Sequence, residues 1–178
     1  MFAIVLAALD RSGSVLPILC AMAVHELAHV VMMLACGGQV RRLTLRFADF
    51  QIAASGLGYR QELLSALAGP LVNLICGAAF CMQRPSFAAY SLMLGIYNLL
   101  PVLPLDGGRM IRCVLLARLP ITQAEHISEI VSFAACAVLL LIGVFLTFFR
   151  KSGLWPLGTA AYLTVRLLML ARRTDTVQ

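Results

Sequence analysis

Five long apolar runs dominate the chain, at Val15 to Cys36, Leu63 to Met82, Phe87 to Leu103, Ile127 to Phe149 and Leu154 to Leu170. A helix needs about 20 residues to cross a hydrocarbon layer about 30 Å thick, so each run reads as a membrane-spanning helix. Met110 to Leu119 is apolar too, but it carries Arg112 and Arg118 and is too short to cross. It reads as a half-buried helix continuing from a turn at Asp106. Between Gly37 and Arg60 the period changes: Leu43, Leu45 and Phe47 alternate with Thr44, Arg46 and Ala48, and Phe50, Ile52 and Ala54 resume the alternation after Asp49. A period of two predicts strands, here a β-hairpin turning near Ala48 to Asp49 and ended by Gly56 and Gly58. The whole pattern predicts an all-α polytopic membrane protein with about five to six transmembrane helices and one short membrane-associated β-hairpin. Met1 to Leu9 is apolar but too short to span, and it lacks the basic start and small-residue cleavage site of a removable leader. It reads as an interfacial segment or the stump of a longer helix.

Composition agrees with a bilayer environment. Of 178 residues 61% are hydrophobic and 12% charged, and the mean hydropathy of +0.93 lies outside the range of soluble domains. The net charge of +6 does not indicate nucleic acid. The arginines cluster at the ends of apolar runs, and no basic stripe carries interleaved aromatics. If the first full span runs from outside to inside, the arginines at 41, 42, 46, 60, 109, 112, 118, 172 and 173 face the cytoplasm, against Arg11, Arg84, Arg150 and Lys151 outside; the excess of positive charge favours that orientation. Cys20, Cys36, Cys76, Cys81, Cys113 and Cys136 lie within or at the ends of apolar segments with no CxxC pair, and they read as small core hydrophobes.

The first full span contains His25-Glu26-Leu27-Ala28-His29. Ionisable groups at membrane depth are costly and mark a protein interior or a water-filled cavity. On a helix advancing about 100° per residue, His25 and His29 lie one turn apart on one face with Glu26 to the side. Both imidazoles can then reach one ion. Zinc suits such ligands, and a hydrolytic zinc site uses three protein groups and keeps a fourth position for water. Glu26 is placed to take a proton from that water and pass it to a leaving amine. The candidate third ligand is Asp106, in Asn98-Leu-Leu-Pro-Val-Leu-Pro-Leu-Asp106-Gly-Gly-Arg109. Pro101 and Pro104 break the incoming helix, Gly107 and Gly108 let the backbone turn closely, and a carboxylate at this depth is costly without a cation. Alternatively, Asp106 caps the following helix or pairs with Arg109. In Ala68-Gly69-Pro70-Leu71-Val72-Asn73, Gly69 permits close helix approach. Asn73 and Asn98 are candidates either to bind substrate by donating to an oxyanion or to make an interhelical hydrogen bond.

Taken in order, His25-Glu26-Leu27-Ala28-His29, Ala68-Gly69-Pro70 with Asn73, and Asn98 through Asp106-Gly-Gly resemble the site-2 proteases, zinc intramembrane metalloproteases of regulated intramembrane proteolysis. The resemblance covers Val15 to Leu119. It implies His25, His29 and Asp106 as Zn2+ ligands, Glu26 as catalytic base, an active site near the cytoplasmic side and a hairpin close to the substrate path. The short Pro-Val-Leu-Pro-Leu-Asp-Gly-Gly form, with no PDZ insertion, is most similar to the sporulation branch that processes the pro-sigma-K factor. The chain departs from the pattern in Ala28, where the family usually has glycine, in a first helix reduced to Phe2 to Leu9, and in having no CBS domain after Leu170.

The expectation is a single membrane-embedded metalloprotease domain over residues 1–178, in a bacterial cell membrane. It hydrolyses a peptide bond in or near the transmembrane segment of a membrane-embedded or membrane-tethered protein substrate, under inhibitor or regulator proteins of the same bilayer. The alternative is a non-enzymatic membrane zinc carrier or sensor, for which ionisable groups on several spans and inverted repeats would be expected; the sequence shows neither.

Overall fold

The computed structural model describes residues 13–46, 49–55, 57–149 and 154–175. Met1 to Leu9 and the expected hairpin turn at Ala48 lie outside the described residues. The chain divides into two compact units, one ending at Leu99 and the other starting at Leu100.

The first unit contains helix α1 (Val15–Ala35), antiparallel strands β1 (Gln39–Arg46) and β2 (Asp49–Ser55), and helices α2 (Tyr59–Ala79) and α3 (Pro85–Asn98). α1 stops because Gly37 takes a left-handed conformation, φ 80°. Its N–H then bonds to the Leu34 carbonyl and that of Gly38 to the Met33 carbonyl, each at 3.0 Å, which satisfies the last turn. The strand ladder runs from Gln39 opposite Ser55 to Arg46 opposite Asp49, with an irregularity between Val40 and Arg42. Gln61 then anchors the start of α2. Its Oε1 accepts the Gly58 N–H at 2.8 Å, and its Nε2 donates at 3.0 Å to the Cys36 carbonyl at the end of α1. The apolar run expected to continue to Leu103 forms a helix of only 14 residues, closing at Asn98. Proline lacks an amide proton and disfavours helix in the residue before it, so Pro101 and Pro104 end the helix early.

The second unit contains α4 (Asp106–Leu116), α5 (Ile121–Phe148) and α6 (Trp155–Asp175). Arg112 on α4 grips Glu125 on α5 with both ends of its guanidinium; Nε lies 2.9 Å from Oε2 and 3.0 Å from Oε1. α5 and α6 approach closely at Gly143, where an added Cβ would lie 3.1 Å from the Pro156 carbonyl oxygen and the Leu157 Cα.

Burial is inverted relative to a soluble protein. Asn73 and Ser91 have no exposed surface and Ser132 has 1%, whereas Leu27 is 61%, Leu141 71% and Phe148 70% exposed. The buried positions of α1 are Ala21, His25, His29 and Met33, and those of α5 are Ala124, Ser128, Ser132, Cys136 and Gly143. Small and polar residues therefore face inward while large aliphatic and aromatic ones face out, the arrangement favoured where the solvent is lipid and small residues let helix backbones meet. α1, α2 and α5 are each long and apolar enough to cross a membrane, and α6 contributes a shorter apolar helix over Pro156–Leu170. All six cysteines are free. Cys113 and Cys136 pack inside as expected, but Cys20 and Cys81 are exposed: Cys20 falls outside the inward stripe of α1, and Cys81 lies in the turn after α2.

Candidate metal centre

The four-residue spacing of the α1 stripe places the His25 and His29 rings edge to face, their centroids 4.6 Å apart. Their Nε2 atoms are 3.1 Å from each other. His29 Nδ1 is 2.7 Å from the Ser65 carbonyl oxygen on α2. A carbonyl only accepts, so Nδ1 carries the proton and Nε2 keeps its lone pair for a metal. Ser65 Oγ returns a bond to the His29 carbonyl at 3.3 Å. Helix α2 can come this close only because residue 69 has no side chain. A Cβ on Gly69 would strike His29 Nε2, and would lie 2.5 Å from its Cε1 and 2.9 Å from His25 Cε1.

Asn73, one turn further along α2, has its Nδ2 3.2 Å from His25 Nδ1. Its bond in the structure is thus the interhelical one. Asn98 donates to the Leu94 carbonyl within its own helix at 3.1 Å. Glu26 is half-buried beside His25 on α1.

Asp106 opens α4 and is buried. It does not cap that helix: the N-cap position falls on Leu105, with no side-chain cap bond. It does sit 3.5 Å from the Arg109 guanidinium, whose side chain is 42% exposed. The loop before it is fixed by its backbone. The Leu105 N–H bonds to the Val102 carbonyl at 2.8 Å, and the Leu103 N–H donates to Ser132 Oγ on α5 at 3.0 Å. Ser132 in turn donates to the Ser128 carbonyl. A Cβ on Gly108 would lie 2.5 Å from both the Val102 carbonyl carbon and the Leu103 nitrogen, so the first turn of α4 packs directly on main chain. Main chain cannot swing aside as a side-chain tip can, and overpacking typically costs about 1–3 kcal/mol. Gly108→Ala is therefore expected to displace Asp106 and weaken zinc binding at least about tenfold, read by chelator competition. Gly158→Ala, where an added Cβ meets nothing within 4 Å, should leave it unchanged.

His25 and His29 in the first unit and Asp106 in the second are all buried and are the donors that could hold one metal ion. The donor chemistry fits zinc. Two imidazole nitrogens and one carboxylate form a three-ligand set for this ion. Ligands about 2.0–2.1 Å from a tetrahedral zinc sit about 3.4 Å apart, close to the spacing of the two Nε2 atoms. Sequence reasoning missed Ser65 and Ser132. The first acts through a backbone carbonyl, which no residue type reveals. The second had a signal, since Ser128 and Ser132 repeat at four-residue spacing inside the most apolar helix.

Residues 84–142 match Peptidase family M50. A zinc metalloprotease of Methanocaldococcus jannaschii is 26% identical across 67% of this chain and 39% of its own length. Stage IV sporulation protein FB of Bacillus subtilis is 27% identical across 70% of this chain and 47% of its own. The chain is similar to the M50 zinc metalloproteases. In fold it is similar to the solved site-2 protease from Methanocaldococcus jannaschii, with a TM-score of 0.68 over 94% of this chain and 83% of that one at 19% identity. The chain spans less than half the length of these two curated relatives. The M50 match includes Asp106, Gly107 and Gly108, and the histidine pair lies before it.

Proposed function

We propose that this chain is an intramembrane zinc endopeptidase that hydrolyses a peptide bond in or next to the membrane-embedded part of a protein substrate. The observation that carries the proposal is a buried His-His-Asp group whose two histidines belong to an intact His-Glu-x-x-His helix. His25, His29 and Asp106 would hold the ion, which would supply Lewis-acid activation of water. The Glu26 carboxylate would take a proton from the attacking water and deliver it to the leaving amine. Of the two asparagines weighed for binding the developing oxyanion, Asn98 keeps that assignment. The burial of polar residues inside apolar helices supports a path for water at the site rather than through lipid.

The wider reading follows the chain's pattern. Residues 1–178 act as one membrane-embedded unit of five to six transmembrane helices in a bacterial cell membrane, with the active site toward the cytoplasm, where most arginines fall. Sigma-factor activation in sporulation is a candidate pathway, a reading that the likeness to a stage IV sporulation protein supports. The membrane-associated hairpin offers a free strand edge to an extended substrate. Proline removes a ladder donor, so Leu45→Pro or Ile52→Pro is expected to slow cleavage at least about tenfold while leaving zinc content intact; unchanged turnover would remove the hairpin from substrate docking.

The purified full chain should cut a membrane-tethered substrate, stop when a chelator strips the metal, and recover with added zinc. Zinc bound tightly with every candidate substrate left whole would favour a carrier or sensor instead.

A further inference from the structure

Asn73 is wholly buried, and its Oδ1 is one of two buried side-chain polar atoms without a hydrogen-bond partner among the described residues; the other is Ser91 Oγ. An orphaned buried amide oxygen is costly. Here it belongs to the same carboxamide whose nitrogen faces His25 Nδ1 at 3.2 Å. With Nδ2 as donor, His25 Nδ1 must be the acceptor, and its proton then resides on Nε2. That is the wrong tautomer for a ligand, because the Nε2 of His25, which faces that of His29 at 3.1 Å, must present a lone pair to the ion. His29 has no such conflict, since its Nδ1 faces a carbonyl.

A half-turn of the Asn73 side-chain amide resolves both problems. It exchanges Oδ1 and Nδ2, gives Oδ1 a partner, and lets His25 Nδ1–H donate to it. We infer that Asn73 is a positioning residue for the metal centre: it accepts the Nδ1 proton of His25 and holds that imidazole in the tautomer that ligates through Nε2. Metal-bound histidines usually donate their other ring proton to such an acceptor, and loss of the acceptor typically costs about 10–100-fold in metal affinity. This inference rests on the zinc reading above. It replaces the oxyanion role weighed for Asn73 with one acting through His25.

Two substitutions of similar size separate acceptor from donor. An aspartate carboxylate can only accept, and a leucine can do neither. In the purified full chain, chelator competition should show Asn73→Asp binding zinc at least as tightly as the wild type, and Asn73→Leu about 10–100-fold more weakly. Nitrogen NMR of the histidine rings in the zinc-loaded protein should find the His25 proton on Nδ1 in the wild type and in Asn73→Asp, a signature that a purely packing role would not produce. A loss of affinity of tenfold or more in Asn73→Asp would overturn the inference, because it would make Asn73 a donor; this holds even if Asn73→Leu fails to fold. Wild-type affinity in a folded Asn73→Leu would overturn it as well. A wild-type chain that binds no zinc would instead bring down the zinc reading, and this inference with it.

Discussion

Gly69→Ala is expected to remove zinc binding, with affinity falling by more than about 100-fold while helical content stays near that of the wild type. Any Cβ at position 69 collides with the His29 ring and comes within 2.9 Å of His25 Cε1. The rings cannot retreat freely. His29 is tied to the Ser65 carbonyl and His25 to Asn73, and both bonds come from the helix that carries residue 69. Either α1 and α2 separate, which breaks those bonds, or the imidazoles leave the positions in which their Nε2 atoms converge. Both outcomes dismantle the ligand pair. Chelator competition on the purified chain measures the effect, with Gly158→Ala as the control where nothing lies near the added carbon. A Gly69→Ala protein that binds zinc like the wild type would mean that α2 does not press on the histidines as described.

Glu26→Gln should separate chemistry from metal binding. The amide keeps the size of the carboxylate and loses its ability to take a proton, and positioned acid–base catalysis contributes about 10²–10⁴-fold in rate. Cleavage of a membrane-tethered substrate is expected to fall by at least that range, with zinc affinity within a few-fold of wild type. Glu26 is half-buried, beside His25 but not among the grouped ligands, so its substitution leaves the donor set whole. Single-turnover cleavage with saturating zinc measures the rate. Near wild-type turnover would assign the base to another residue.

The candidate ligand group was legible in the sequence because it follows from helix geometry: His25 and His29, four apart, must share a face, and an aspartate behind two prolines and before two glycines stands out in an apolar chain. The partners that orient the ligands were much less legible. The Ser65 carbonyl acts through main chain, and the bond from Asn73 to His25 depends on how α1 and α2 face each other. Gly69 illustrates the boundary. Its residue type announced a close approach, but which atoms it admits was fixed only by the packing. The early end of α3 at Asn98 shows hydropathy overstating a helix where proline chemistry prevails.

The most direct test of the metal centre is zinc titration of the purified full chain alongside Asp106→Ala and Arg109→Ala. The wild type should bind one zinc per chain. Asp106→Ala should weaken it by more than about 100-fold, beyond the 10–100-fold typical of a lost supporting bond, and Arg109→Ala should change it little. Equal zinc affinity in the wild type and Asp106→Ala would contradict the account, since the aspartate would then serve only its neighbouring arginine.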